Sequence, residues 1–224
     1  MTALEREFKV RLAPGAYQAL AARLADWPAR RAQQSSRFFD TPQRSLRAAR
    51  LALRLRAEDG RFAVALKGPA LPAADGLAVR AELERTVEEQ AARAVLAGER
   101  SALELFGSEA SPLLAQARAL VAGAPLGSIG GFENERLSLG PRALAPGTLP
   151  VVLELDRTRF PDGSLEHELE LELPEEADAA GLEHALRALC ASLAIPFETA
   201  PSKAARCFRI LDRMAAGGAP PAST

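Results

Sequence analysis

Leu4-Glu5-Arg6-Glu7-Phe8-Lys9-Val10-Arg11-Leu12, close to the start of the chain, repeats with a period of two. Successive side chains of a β-strand point to opposite faces. Leu4, Phe8, Val10 and Leu12 therefore share one face with Arg6, while Glu5, Glu7, Lys9 and Arg11 line the other. One face is mainly apolar and the other wholly charged. A single strand of this kind needs no explanation beyond one wet surface; a repetition of the pattern does.

The pattern repeats. Residues 51–56 set Arg54 and Arg56 opposite leucines, and a turn at Glu58-Asp59-Gly60 leads into residues 61–67, with Lys67 again on the non-leucine side, so the pair reads as a hairpin. Residues 78–87 place Arg80, Glu82 and Glu84 against Val79, Ala81 and Leu83. In residues 129–139 Asn134, Arg136 and Ser138 share a face; in 150–160 Glu154, Asp156 and Thr158 do. Residues 165–173 oppose Glu166, Glu168, Glu170 and Glu172 to His167, Leu169, Leu171 and Leu173, and 33–41 is extended in character, which brings the strands to eight. Gly68 and Pro69 open a loop that runs to Gly76.

Helical spacing takes over elsewhere. Pro14 begins a short amphipathic helix carrying Tyr17, Leu20, Ala21 and Leu24, and residues 88–121 hold about three helices broken at Gly98 and at Ser111-Pro112. Two more cover 177–193 and 202–214, the second capped by Ser202. No repeat or linker divides the chain, so residues 1–216 read as one domain, followed by 217–224 (GGAPPAST) as a disordered tail.

Composition excludes more than it selects. The chain has 224 residues, 48% of them hydrophobic and 25% charged, with a net charge of -1. It therefore lacks the broad positive field of a nucleic-acid binder. No run of 18 apolar residues exists and the N-terminus is acidic, which predicts a cytoplasmic protein that does not enter membranes. Cys190 and Cys207, the only cysteines, read as free thiols of helices.

The polar strand faces are unusually pure in charge. Glu5, Glu7, Glu82, Glu84, Glu154, Asp156, Glu168 and Glu170 stand with Lys9, Arg11, Arg54, Arg56, Lys67, Arg80 and Arg136, all opposite the leucines. Helices with apolar stripes need a surface to cover. An α+β fold accounts for both: an eight-stranded antiparallel closed β-barrel with charged faces inward and helices packed on the outside. Unpaired ions in a dry interior cost several kcal/mol each in order of magnitude, so such a barrel encloses a wet passage that binds something highly charged. Arginines and lysines match phosphate oxygens, and adjacent carboxylates match hard divalent cations. Two readings stay open on these residues: a site for a metal–polyphosphate complex, or a lattice of salt bridges.

Glu5-x-Glu7-x-Lys9 resembles the signature of the CYTH domain, the triphosphate tunnel metalloenzyme family of inorganic triphosphatases, thiamine triphosphatases and class IV adenylyl cyclases. The later elements are similar in order: Arg54 and Arg56, Lys67 before Gly-Pro, Arg80-x-Glu82-x-Glu84, Arg136, Glu154-x-Asp156, Glu168-x-Glu170, and Lys203 in the last helical region. The resemblance spans about residues 3–214 and implies an eight-stranded triphosphate tunnel. It implies metal carboxylates at Glu5, Glu7, Glu168 and Glu170, with Asp156 and Glu82 nearby, for Mg2+ or Mn2+. It implies a triphosphate clamp of Lys9, Arg54, Arg56, Lys67, Arg80, Arg136 and Lys203, and catalytic roles for Glu5, Glu7, Lys9, Glu168 and Glu170. A carboxylate of the first or last strand is expected to orient the attacking water.

Inorganic triphosphate, hydrolysed to pyrophosphate and phosphate, is the first expectation, because it needs only clamp and metal. The alternatives are a thiamine triphosphatase, which wants an aromatic at the tunnel mouth, a class IV adenylyl cyclase, and a binding protein without turnover. His167 and His184 read as structural, Trp27 as a packing anchor, Gly130-Gly131 as a strand bulge, and Phe38-Phe39 as one core residue beside a half-buried one.

Overall fold

Eight strands form where the alternation predicts them: β1 (Ala3–Leu12), β2 (Ala29–Asp40), β3 (Ala52–Glu58), β4 (Arg61–Leu71), β5 (Leu77–Val87), β6 (Gly127–Ala143), β7 (Pro150–Arg159) and β8 (Leu165–Glu172). They come from a computed structural model that describes residues 3–71, 73 and 76–217. The expected tail from 218 onward lies outside the described residues. All pairings are antiparallel and the sheet closes on itself in the order β1-β5-β4-β3-β2-β6-β7-β8. Among the described residues closure leaves the sheet without an edge strand.

Turn chemistry fixes the register. Asp59 (φ 47°) and Gly60 (φ 79°) supply the two left-handed positions of a tight hairpin between β3 and β4. Gly68 and Pro69, expected to open a loop, stay inside β4: the pairing with β5 slips between Lys67 and Ala70, and a bulge there accommodates a proline that has no N–H to donate. β2 begins at Ala29 rather than at residue 33, because the long β6 offers partners as far as Leu139. Gly131 permits the closest approach of β2 and β6. A Cβ there would lie 1.9 Å from the Ser36 carbonyl oxygen, beside the register shift at Phe38/Phe39 that marks the expected bulge.

The leucine faces look outward and are covered on two sides. α1 (Pro14–Arg23) and α5 (Ala179–Ser192) pack with Phe8, Val10, Leu153, Leu155, Leu169 and Leu171. On the other side α2 (Ser45–Ala48), α3 (Glu89–Leu96), the 3-10 turn Ala102–Phe106 and α4 (Pro112–Val121) bury Leu53, Leu55, Val64, Leu66 and Leu83. α4 starts at Pro112 behind a Ser111 cap whose hydroxyl accepts from the Leu114 N–H. Each fully buried leucine contributes about 1.5–3 kcal/mol by its removal from water, so these covers are what make a charged lumen affordable.

α6 (Lys203–Ala215) does something different, and closes one end of the barrel. Its Cys207, Phe208 and Ile210 pack with the inward-facing Phe38, Phe132 and Phe160. Ser202 caps it, accepting from the Ala205 N–H. The Phe38-Phe39 expectation is corrected here: both are buried, at 2% and 4% exposure, because opposite faces of β2 are covered. Phe39 meets the outer helices and Phe38 meets α6. Among the described residues no helix is long and apolar enough to cross a membrane.

A charged tunnel as the candidate active site

The inward faces enclose a cavity of about 480 Å³, within the range of small-molecule sites. Its wall includes Glu5, Glu7 and Lys9 of β1, Arg54 and Arg56 of β3, Lys67 of β4, and Arg80, Glu82 and Glu84 of β5. Arg136 of β6, Glu154 of β7, Glu170 and Glu172 of β8 and Lys203 of α6 complete it. Asp156 and Glu168 sit deeper, at 0% and 1% exposure, behind Lys203. Arg11 is exposed, as is Leu4 at the strand's other end.

The densest part of the site is built by strand register. Cross-strand pairing sets Glu154 beside Glu170, Asp156 beside Glu168, and Lys9 beside Glu170. Oxygens of Asp156, Glu168 and Glu170 consequently converge within 4.8 Å of one another. Among them lies Lys203 Nζ, 2.7 Å from Asp156, 3.1 Å from Glu170 and hydrogen-bonded to Glu168. Arg136 donates to Asp156 at 2.9 and 2.6 Å and to Glu170 at 2.6 Å, and pairs with Glu154. Lys9 binds Glu170 and lies 2.6 Å from Glu7.

This crowding moves protons. Burial works to raise Asp156, but Lys203 and then Arg136 outweigh it and hold its carboxyl well below the usual range. Burial likewise opposes the charge of Lys9, and Glu170 and Glu7 overcome it, so that ammonium is raised. Lys203 goes the other way: burial draws it down to about 7, Asp156 resisting while Lys9 and Arg136 add to the fall. Glu154 is pushed up to about 7, first by burial, with Arg136 resisting and Glu170 and Asp156 adding to the rise.

Glu5, Glu7 and Glu82 form a separate group. Lys67 Nζ lies 2.6 Å from Glu5 and 3.2 Å from Glu82, and Arg80 reaches Glu5 at 3.1 Å and Glu7 at 3.2 Å. Against the upward pull of burial, Lys67 and Arg80 lower Glu5, whereas Glu82 ends raised. Glu172 is raised by burial and then by Glu5, Glu7 and Glu82. Of the six carboxylates expected to hold metal, the structure therefore gathers Asp156, Glu168 and Glu170, sets Glu5 and Glu82 on Lys67, and leaves Glu7 between Arg80 and the Lys9 it shares with Glu170. An all-oxygen, buried, converging donor set fits a hard divalent ion, whereas at the second group Lys67, Arg80 and Lys9 already hold Glu5 and Glu7 lowered against burial.

Across the lumen the balance reverses. β3 and β8 are four places apart around the ring in either direction, so Arg54 and Arg56 face the acids of β8. They share one carboxylate, Glu84, at 3.5 and 3.1 Å. Arg54 Nε is buried without a hydrogen-bond partner, and burial followed by the charge of Arg56 lowers its pKa.

Two sets of residues around the carboxylates were not among the expected site residues. Arg206 of α6, 1% exposed, donates to Glu166 at 2.5 Å and to Glu168. Its signal is an arginine placed three residues after Lys203 on the stripe that α6 buries. Asn134 donates at 2.9 Å both to Gln34 and to Asp156, Thr158 donates to Asn134, and Gln34 donates to Glu58, which orients Asp156 through a neutral chain. Lysine usage is a further signal: Lys9, Lys67 and Lys203 are the chain's only lysines, and all three line the tunnel. His167 lies outside, against Tyr17, and Trp27 packs in the outer cluster, as their structural readings expect.

Among curated protein sequences none matches significantly. Solved structures with the same fold include a protein from Hippeastrum named as an adenylyl cyclase with a dominant triphosphatase activity. It is 24% identical, with a TM-score of 0.76 over 97% of this chain and 98% of that one. A Bacillus halodurans protein named as an adenylate cyclase is 20% identical, with a TM-score of 0.67 over 92% and 98%. A Pyrococcus horikoshii protein is 17% identical, with a TM-score of 0.54 over 88% and 95%. The sequence family described as the CYTH domain matches residues 3–208, nearly the whole of the tunnel and its covers, and the chain belongs to that family.

Proposed function

We propose that the protein hydrolyses inorganic triphosphate to pyrophosphate and phosphate inside the tunnel, with Mg2+ or Mn2+ as cofactor. The observation that carries this reading is the opposition across the lumen. Arg54 and Arg56 are short of carboxylates, and the facing acids of β7 and β8 converge for a cation. A polyanion that arrives with a divalent ion satisfies both walls at once.

Arg54 and Arg56 take the phosphate oxygens in their forked geometry. Lys67, Arg80, Lys9, Arg136 and Lys203 carry the chain onward and stabilise the charge that develops on the transferred group. Asp156, Glu168 and Glu170 would hold the ion, with Glu5, Glu7 and Glu82 as the further carboxylates. Bound there, it supplies Lewis-acid polarisation of phosphate oxygens. A carboxylate of β1 or β8 orients the attacking water, and the burial of Asp156 and Glu168 keeps their charge interactions strong.

Substrate choice follows from the aromatics. Tyr17 and Trp27 pack on the outside of the barrel, so neither offers a stacking face to a thiamine ring. Phe38 and Phe132 do border the cavity, which together with the names of the neighbours favours nucleoside triphosphate as the second substrate class, with cyclisation in place of hydrolysis.

The test is phosphate release from tripolyphosphate, thiamine triphosphate and ATP, each with Mg2+, with Mn2+ and with EDTA, and with Glu5→Gln as control. Metal-dependent release, greatest from tripolyphosphate and abolished in the variant, is the expected result. Cyclic AMP and pyrophosphate from ATP, with tripolyphosphate left intact, would overturn it.

A further inference from the structure

α6 sends two cations to the same carboxylate. Lys203 Nζ takes Oε1 of Glu168 and Arg206 Nη2 takes Oε2. One turn of helix separates the two residues, so both point from α6 toward β8. Their situations differ in every other respect. Lys203 stands at the first position of α6, borders the open cavity and sits where oxygens of Asp156, Glu168 and Glu170 converge. A divalent ion bound by those oxygens would take the place the ammonium occupies, and like charges do not share it. The lysine stem is flexible and has the lumen beside it. Arg206 has nowhere to go. It is 1% exposed, clamped between Glu166 at 2.5 Å and Glu168, and packed 5.4 Å over the Phe160 ring.

We propose that Lys203 is a tethered counter-ion that a divalent cation displaces from Asp156, Glu168 and Glu170, while Arg206 is a positioning residue that stays and presents Glu168 as a one-oxygen ligand. Displacement releases the Lys203 ammonium toward the cavity, where it meets phosphate. Loading the ion thus delivers a clamp residue to the substrate in the same step. The inference rests on the metal-dependent reading above only in requiring that a divalent ion enters the tunnel.

The two roles make opposite demands, and Mn2+ alone, titrated into the full-length chain without substrate, separates them. Free Mn2+ is read by electron paramagnetic resonance. Lys203→Met removes the competitor and is expected to tighten binding about tenfold; Arg206→Met releases Glu168 and is expected to weaken it about tenfold. Arg206→Lys keeps the charge and folding while losing the fork, and is expected to weaken binding as well. Simple loss of positive charge would tighten Mn2+ in both single-charge variants, and loss of structure would weaken it in both; either result overturns the proposal. A wild-type chain that takes up no Mn2+ overturns it together with the metal reading, whereas uptake with matching signs overturns it alone. In a second measurement, [15N]lysine labelling gives side-chain signals from only Lys9, Lys67 and Lys203. Mg2+ is expected to move the signal that Lys203→Met deletes, and a signal unmoved at saturating Mg2+ contradicts displacement.

Discussion

Arg54 and Arg136 both project into the tunnel, at 16% and 15% side-chain exposure, yet they are held in opposite ways. Arg136 has three carboxylates around it and Arg54 shares one with Arg56. Removing a cation that neutralises buried acids leaves them unpaired, which costs about 3–5 kcal/mol; removing one that is itself short of partners does not. Arg136→Met is therefore expected to unfold at markedly lower urea. Arg54→Met is expected to keep its urea midpoint and to raise KM for tripolyphosphate by about one to two orders of magnitude, as loss of a charge-assisted phosphate contact of roughly 1.5–3 kcal/mol implies. Comparable destabilisation by the two variants would contradict the assignment. Glu154 and Lys203 are two groups whose contributions to the stability of the metal-free protein change near neutrality. Glu154 has a folded pKa of about 7, above its ordinary 4.5, so the stability it contributes is complete at low pH and is lost as pH rises through about 7. Lys203 is depressed to about 7, so its contribution is present above its ordinary 10.5 and is lost as pH falls through about 7. Together they place a minimum near neutrality. Unfolding of Glu154→Gln in EDTA is expected to show an advantage over wild type that grows from pH 4.5 to 7 and then levels; an advantage independent of pH would refute it.

At the scale of elements, the period-two alternation was legible because the barrel uses each strand's two faces for opposite purposes, a charged cavity on one and helices on the other. Glu5-x-Glu7-x-Lys9 and Glu168-x-Glu170 announce both faces at once. What alternation could not show is which carboxylates meet. That depends on register across the ring, which pairs Asp156 with Glu168 and leaves Glu5 to Lys67 and Arg80. Nor could it show α6 as an end plug, since Phe38 and Phe132 come from two strands and Phe160 follows a third, and each reads singly as ordinary core. A surface tie of α6 and the close strand approach in the barrel wall should rank differently on mutation. The exposed pair Arg47–Asp212 is solvent-screened despite its fork, so Asp212→Asn is expected to cost less than about 1 kcal/mol. Gly131→Ala places a Cβ against the Ser36 carbonyl and is expected to cost about 3 kcal/mol. Equal urea midpoints for these two variants would show that the close β2–β6 approach at Gly131 contributes no more than the surface tie of α6.

For the whole molecule, the arrangement is an inversion of the usual barrel: the apolar faces turn outward beneath helices, and the interior is left wet and charged. Closure in the order β1-β5-β4-β3-β2-β6-β7-β8 puts the underpaired arginines of β3 opposite the converging acids of β8, and that opposition is the claim on which the function rests. Membership of the CYTH family was legible from motif order, because the charged pairs recur at strand spacing along the matched residues. The preferred triphosphate was not, because the proposed clamp of arginines and lysines would be blind to what the third phosphate carries. The most direct test is a crystal structure of Glu5→Gln with tripolyphosphate and Mn2+. The account predicts phosphate density against Arg54 and Arg56, and an anomalous Mn2+ peak between that density and the carboxylates of β7 and β8. Tripolyphosphate bound outside the barrel, or a lumen still closed by its own ion pairs at saturating ligand, would contradict it.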